Sequence, residues 1–232
     1  MSAGHAPGVY AGGADVIAVL ILLAEFGMLR QALARDQVRL YAAQSGLISA
    51  LAVIVGAVRG LPELYLLAGL SAALKIMVIP LVLRRLLRAG RVGADLAGPD
   101  GDIARSGGMS LASTVLVATA VAAAGFFAAS HFTVGGAAAP PAALSLSVSV
   151  VLVAFILMIH RRDVLSQAIG LFSLENAISL AALVIAASLP LVLEAALLFD
   201  LLVAVIVFGL LIRIHHGRAE SLSTTDLTSL RG

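Results

Sequence analysis

Glu25, Lys75, Glu175 and Asp200 each lie inside a long apolar run, and Glu194 lies close to the outer end of the run that holds Asp200. A charge at the middle of a bilayer costs about 2.5–3.5 kcal/mol on insertion scales. Such groups pair with one another, change protonation state or line a wet cavity. Withdrawal from water favours the neutral form of a carboxylate and of an amine alike, so these side chains can exchange protons. The chemistry they offer is acid–base. The chain has no cysteine, which excludes iron–sulfur clusters, covalently attached c-type haem, thiolate zinc sites and disulfides. Its five histidines, His5, His131, His160, His215 and His216, fall in loops or at helix ends. No cofactor or metal is therefore expected in this chain.

Elements that carry such residues must be membrane helices. Of 232 residues, 61% are apolar and only 12% charged, about half the charged share of a soluble domain. The mean hydropathy is +1.08. This composition excludes an ordinary soluble enzyme, a disordered tail and, despite a pI near 9.5, a nucleic-acid binder. Seven apolar runs of spanning length stand out: Asp15–Leu33, Val38–Val58, Leu64–Leu83, Met109–Ser130, Ala142–Ile159, Val164–Ser188 and Leu191–Ile214. They are separated by Leu61-Pro62, a Gly-rich loop at 89–108, Gly135-Gly136 with Pro140-Pro141, and Leu189-Pro190. The first 14 residues carry no Lys or Arg, so the first run is expected to remain in the mature chain.

Cations give the orientation. With seven spans, Arg30, Arg35, Arg39, Arg84, Arg85, Arg88, Arg91, Arg105, Arg161, Arg162, Arg213, Arg218 and Arg231 all fall on one side. Only Arg59 falls on the other, and Lys75 lies within a span. The positive-inside rule then places the N-terminus outside and the C-terminus in the cytoplasm. At 1.5 Å per residue, Glu175 lies about 16 Å, Asp200 about 21 Å and Lys75 about 12 Å from the cytoplasmic ends of their spans, with Glu25 shallowest. Glu175 and Asp200, on consecutive helices, are candidate neighbours or steps of a relay. His160, His215 and His216, beside Arg161, Arg162 and Arg213, read as cytoplasmic anchors. Ser71, Thr114 and Ser179 are expected to bond backbone carbonyls.

The expected fold is all-α, a polytopic membrane protein with a parallel repeat. Arg35-Asp36 precedes Leu61-Pro62 by 26 residues, and Arg162-Asp163 precedes Leu189-Pro190 by 27. Residues 1–88 then form a first three-helix unit, and 142–216 a second. Residues 89–141 hold a cytoplasmic loop, a connector helix and an outer loop, and 217–232 form a cytoplasmic tail.

Residues 144–216 resemble the three-helix K subunit of bacterial complex I, the NADH-quinone oxidoreductase. The stretch runs His160-Arg161-Arg162-Asp163-Val164-Leu165, then Ile169-Gly170-Leu171, then Glu175-Asn176-Ala177. It continues with Phe199-Asp200-Leu201 and Val205 to Leu211. In that family a glutamate directly follows Ile-Gly-Leu and a second sits midway along the third helix, both on the proton path. Here Phe172 takes the first position, with Glu175 three residues on along nearly the same face, and Asp200 takes the second. Seven spans with this C-terminal half, and a tail ending Ser229-Leu230-Arg231-Gly232, resemble hydrogenase-4 component E, the membrane subunit of formate-hydrogenlyase and related group 4 hydrogenases.

That resemblance implies a non-catalytic subunit of a redox complex in the bacterial inner membrane, beside antiporter-like subunits. Glu175, Asp200 and Glu25 would be relay groups for proton translocation, and Lys75 their counter-charge. The residues alone leave two alternatives open: interhelical pairs that only fix helix register, in a scaffold subunit, and a stand-alone small transporter. Against the latter, no broken helix is evident and little polar lining is available for an organic substrate.

Overall fold

A computed structural model describes residues 7–31, 33–85, 110–132, 141–161, 164–186, 199, 202–203, 206–207 and 209. Six of its helices are long and apolar enough to cross a membrane. They are α1 (Pro7–Arg30), α2 (Ala34–Arg59), α3 (Glu63–Arg85), α4 (Leu111–Ser130), α5 (Pro141–His160) and α6 (Val164–Ala186). The protein is thus an all-helical, multi-pass membrane chain. Most of the expected seventh run, Leu191–Ile214, lies outside the described residues, as do Glu194, Asp200, Arg162-Asp163, Leu189-Pro190, the 89–108 loop and the 217–232 tail. Phe199, Leu202, Val203, Ile206, Val207 and Gly209 are helical.

The helices end where the backbone requires it. Gly60 closes α2 with φ of 67°, a left-handed conformation that glycine adopts without cost. Its N–H and that of Leu61 both return to the Gly56 carbonyl, and Pro62 follows directly. The chain reverses within three residues, so α2 and α3 are antiparallel neighbours.

Pro80 lies within α3, five residues before Arg85. Proline has no N–H for the carbonyl one turn back, here that of Ile76. The helix widens just before it: Ala73–Val78 is π-helical, and the Ile79 N–H bonds the Leu74 carbonyl five residues back. This interruption of regular α-geometry, which the sequence reading did not anticipate, sits where Lys75 is.

α1 packs on α2 and α5, α2 on α3 and α6, α4 on α5, and α5 on α6. α1 and α5 finish at the same end, because Arg161 Nη2 at the end of α5 donates to the Leu29 carbonyl at 2.9 Å and also to that of Gln31. α2 and α6 begin at that end, where Ser166 Oγ donates to Gln37 Oε1 at 2.8 Å. The two hairpins α1–α2 and α5–α6 therefore lie side by side with the same polarity.

Two apolar clusters hold the bundle together. One joins Ala18 and Ile21 of α1, Ile48 and Leu51 of α2, and Ala177 and Leu180 of α6. The other joins Met28 and Leu29, Val38 and Tyr41, Ile79 and Leu83, and Ile169 and Phe172. Outward positions such as Leu66, Met77, Leu116 and Ile159 are each more than 70% exposed, as helices bathed in lipid require. Between the two clusters each of α1, α2, α3 and α6 has polar side chains.

Candidate functional site

That gap is filled by a buried polar layer. Along α1 it is Glu25, between Ile21 and Met28. Along α2 it is Gln44 and Ser45, between Tyr41 and Ile48. α3 supplies Lys75 from its π-helical stretch. α6 supplies Ser173, Glu175, Asn176 and Ser179. All of these except Ser179 are at most 2% exposed. Helical spacing divides the α6 residues between two faces: Ser173 and Asn176, three apart, turn toward α1 and α2, while Glu175 and Ser179, four apart, turn toward α3.

The α3 face holds an ion pair. Lys75 Nζ lies 3.6 Å from Glu175 Oε1, both side chains being 2% exposed. The same ammonium donates to Ser179 Oγ at 3.3 Å. Lys75 is ten residues before the end of α3 and Glu175 eleven after the start of α6, so each lies about 15–16 Å into the bundle at 1.5 Å per residue. Two charges at that depth are tolerable because each neutralises the other. Ser179 was expected to bond its own helix; its oxygen instead accepts from Lys75.

The other face holds a hydrogen-bonded network around Glu25. Gln44 Nε2 donates to Glu25 Oε2 at 2.9 Å and approaches the Ile21 carbonyl at 3.4 Å. Ser173 Oγ is in hydrogen-bond contact with Glu25 Oε2 and lies 3.0 Å from Gln44 Oε1. Asn176 Nδ2 donates to Gln44 Oε1 at 3.0 Å and to Ser45 Oγ at 2.9 Å. Glu25 Oε1 and Asn176 Oδ1 are buried and have no hydrogen-bond partner. Three helices are thus tied together at one level by side chains alone.

Of the four residues singled out in the sequence, Lys75 and Glu175 meet, Glu25 joins the adjacent network, and Asp200 lies outside the described residues. Gln44, Ser45, Ser173 and Asn176 were missed. Their signal was faint: Glu25, the Gln44-Ser45 dipeptide and the Ser173/Asn176 pair stand nine to twelve residues from the helix ends that meet there, apart from Glu25 at five.

Two other expectations need correction. Phe172 and Glu175 do not address the same partner: Phe172 packs on Tyr41 of α2, ring centres 5.8 Å apart, whereas Glu175 turns to α3. Three residues on a helix differ by about 60° around the axis, enough to change neighbour. His160 and Arg161, read as cytoplasmic anchors, are 7% and 4% exposed. Arg161 is drawn inward by the open carbonyls at the end of α1, which need a donor, and His160 Nδ1 lies 3.3 Å from Thr114 Oγ1. Thr114 does bond a backbone carbonyl as expected, that of Ser110, at 2.9 Å.

The arrangement brings together carboxyl, ammonium and hydroxyl groups, the functions between which protons can move, and no group of three or more metal-ligating side chains occurs among the described residues. Comparison with family models, with curated proteins and with solved structures finds no match to this chain.

Proposed function

We propose that the chain is a non-catalytic integral membrane subunit of a redox-driven, proton-translocating assembly of the hydrogenase-4 or complex I type. It would sit in the bacterial cytoplasmic membrane beside antiporter-like subunits. The observation that carries this reading is the Lys75–Glu175 pair, buried deep in a bundle with lipid-facing walls. A bundle that had only to fold would gain as much from apolar side chains at these two positions. In the proposed mechanism, redox chemistry on other subunits changes which partner Lys75 meets, and the proton affinity of the released carboxylate follows. Asp200, on the seventh span, would continue the path from Glu175.

The same reading takes seven spans, an outer N-terminus, a cytoplasmic C-terminus and a duplicated three-helix unit. Its support is the common end at which α1 and α5 finish and α2 and α6 begin, together with Arg30, Arg35, Arg39, Arg84, Arg85 and Arg161 on that side.

The test is to solubilise native membranes gently and size the particle that contains this chain. Co-migration with hydrogenase or antiporter-like subunits is expected; a small particle free of other subunits would favour a stand-alone transporter. With assembly matched, Glu175→Gln and Asp200→Asn should each reduce redox-driven proton movement at least tenfold. Undiminished proton movement in both would leave the buried charges a purely structural role.

A further inference from the structure

The two carboxylates of the polar layer are not equivalent, and we infer that Glu25 is a proton-binding site that holds its proton in this structure while Glu175 stays ionised against Lys75. The hydrogens available among Glu25, Ser173 and Gln44 are too few if Glu25 is ionised. A serine hydroxyl carries one proton, yet Ser173 Oγ contacts two oxygens, Glu25 Oε2 and Gln44 Oε1. It can donate to only one. The contacts are satisfied when the Glu25 carboxyl donates to Ser173 and Ser173 donates to Gln44 Oε1. Gln44 Nε2 then spends its hydrogens on Glu25 Oε2 and the Ile21 carbonyl, and Asn176 Nδ2 spends its own on Gln44 Oε1 and Ser45.

Turning the Gln44 amide over does not remove the deficit. Its oxygen would then lie 2.9 Å from Glu25 Oε2 and 3.4 Å from the Ile21 carbonyl, and the first contact again demands a carboxyl proton. Amide orientation is an assignment, but both orientations call for a carboxyl hydrogen. The turned amide would also set its NH2 3.0 Å from the Asn176 NH2, donor against donor, so the orientation with Ser173 as acceptor is the consistent one.

Charge leads to the same state. Glu25 is fully buried, and Glu25 Oε1 has no donor. An anion with one oxygen unpartnered away from water is far costlier than a neutral acid whose carbonyl goes unbonded. The two buried cations among the described residues are committed elsewhere. Lys75 faces Glu175 across the other side of α6, and Arg161 is held by the carbonyls at the end of α1. The residues that α2 and α6 turn toward Glu25 are uncharged. One bundle level thus carries an ionised pair and a loaded proton donor on adjacent faces of α6, with the Ser173 hydroxyl as the acceptor of the stored proton. This holds whether or not the chain belongs to a redox assembly.

Infrared spectroscopy of the full-length protein in lipid, in H2O and in D2O, tests it. The spectrum of Glu25→Gln subtracted from that of the natural protein should contain one carboxylic-acid carbonyl band that shifts in D2O, with the carboxylate bands cancelling. A difference spectrum that instead contains a carboxylate band would overturn the inference. Ser173→Ala provides a second reading should Glu25→Gln fail to fold. Loss of its acceptor should move the acid band to higher frequency, and an acid region identical to that of the natural protein would likewise overturn it. Neither outcome depends on partner subunits, so failure here and failure of the assembly reading are separable.

Discussion

Replacing Lys75 by Met, and Glu175 by Gln, strands one buried charge in each case, and the cost can be worked out. A stranded group escapes by changing its protonation state, and that escape sets the ceiling. Starting from the ordinary carboxylate value near 4.3, protonating Glu175 at pH 7 costs about 3.7 kcal/mol. That figure agrees with the roughly 3–5 kcal/mol typical of breaking a buried pair. Lys75→Met/Glu175→Met, which removes both charges, should cost little, so the single losses do not add. In Lys75→Met the folded state binds one more proton than the unfolded state, so stability rises as pH falls, by about 1.4 kcal/mol per pH unit. Reversible unfolding in bicelles, followed by steric trapping or by detergent titration across a pH series, measures the losses and the slope. Single losses below about 1 kcal/mol, the range of an exposed pair, or a Lys75→Met stability that does not rise as pH falls, would show that the two side chains are not a buried ion pair.

Other expectations follow from the same geometry. Deleting Met77, an exposed residue between Lys75 and Pro80, should restore α-helical hydrogen bonding through the π stretch. It would turn Lys75 by about 100° away from Glu175, so the deletion should destabilise the natural protein but add no such loss in Lys75→Met. Arg161→Ala removes two charged hydrogen bonds from the end of α1 and should cost about 1.5–3 kcal/mol, with Arg161→Lys recovering only part of it; thermal unfolding in lipid reports both. At Gly170 an added Cβ would come within 2.6 Å of Met158 Cγ. Gly170→Ala should therefore force α5 and α6 apart at a cost of about 1–3 kcal/mol, whereas Ala at Gly69, which has open space around it, should be neutral or slightly stabilising in the same measurement.

Much of this architecture is legible from the residues. The six described helices begin and end within a few residues of the apolar runs, except that α1 starts earlier, at Pro7, because Gly and Ala there are too weakly apolar to register as a span. Lys75, Glu175 and Glu25 announce themselves by charge, but counting 1.5 Å per residue set Lys75 about 4 Å shallower than Glu175 and pointed to Asp200 as the neighbour of Glu175. That Lys75 meets Glu175 is seen only in the packing of α3 on α6. What escaped detection was uncharged. Ser and Asn in a membrane span commonly bond their own helix, so Ser173 and Asn176 are informative only once α2 is known to bring Gln44 against them. The π stretch in α3 was hidden because its cause, Pro80, lay near the apparent end of the apolar run. The burial of Arg161 was not legible because a cation beside a span usually seeks water or headgroups. Here the carbonyls at the end of α1 lay within reach, and only the packing of α1 on α5 reveals that.

The role proposed for the buried Lys75–Glu175 pair is to move protons in a redox-driven assembly, beyond tying α3 to α6. Substrate-driven proton uptake by inverted membrane vesicles measures this directly, comparing the natural protein with Glu175→Gln at equal assembly and equal electron-transfer capacity with an artificial acceptor. Electron transfer should be retained and proton uptake reduced at least tenfold. Proton uptake equal to that of the natural protein would leave the pair a purely structural role.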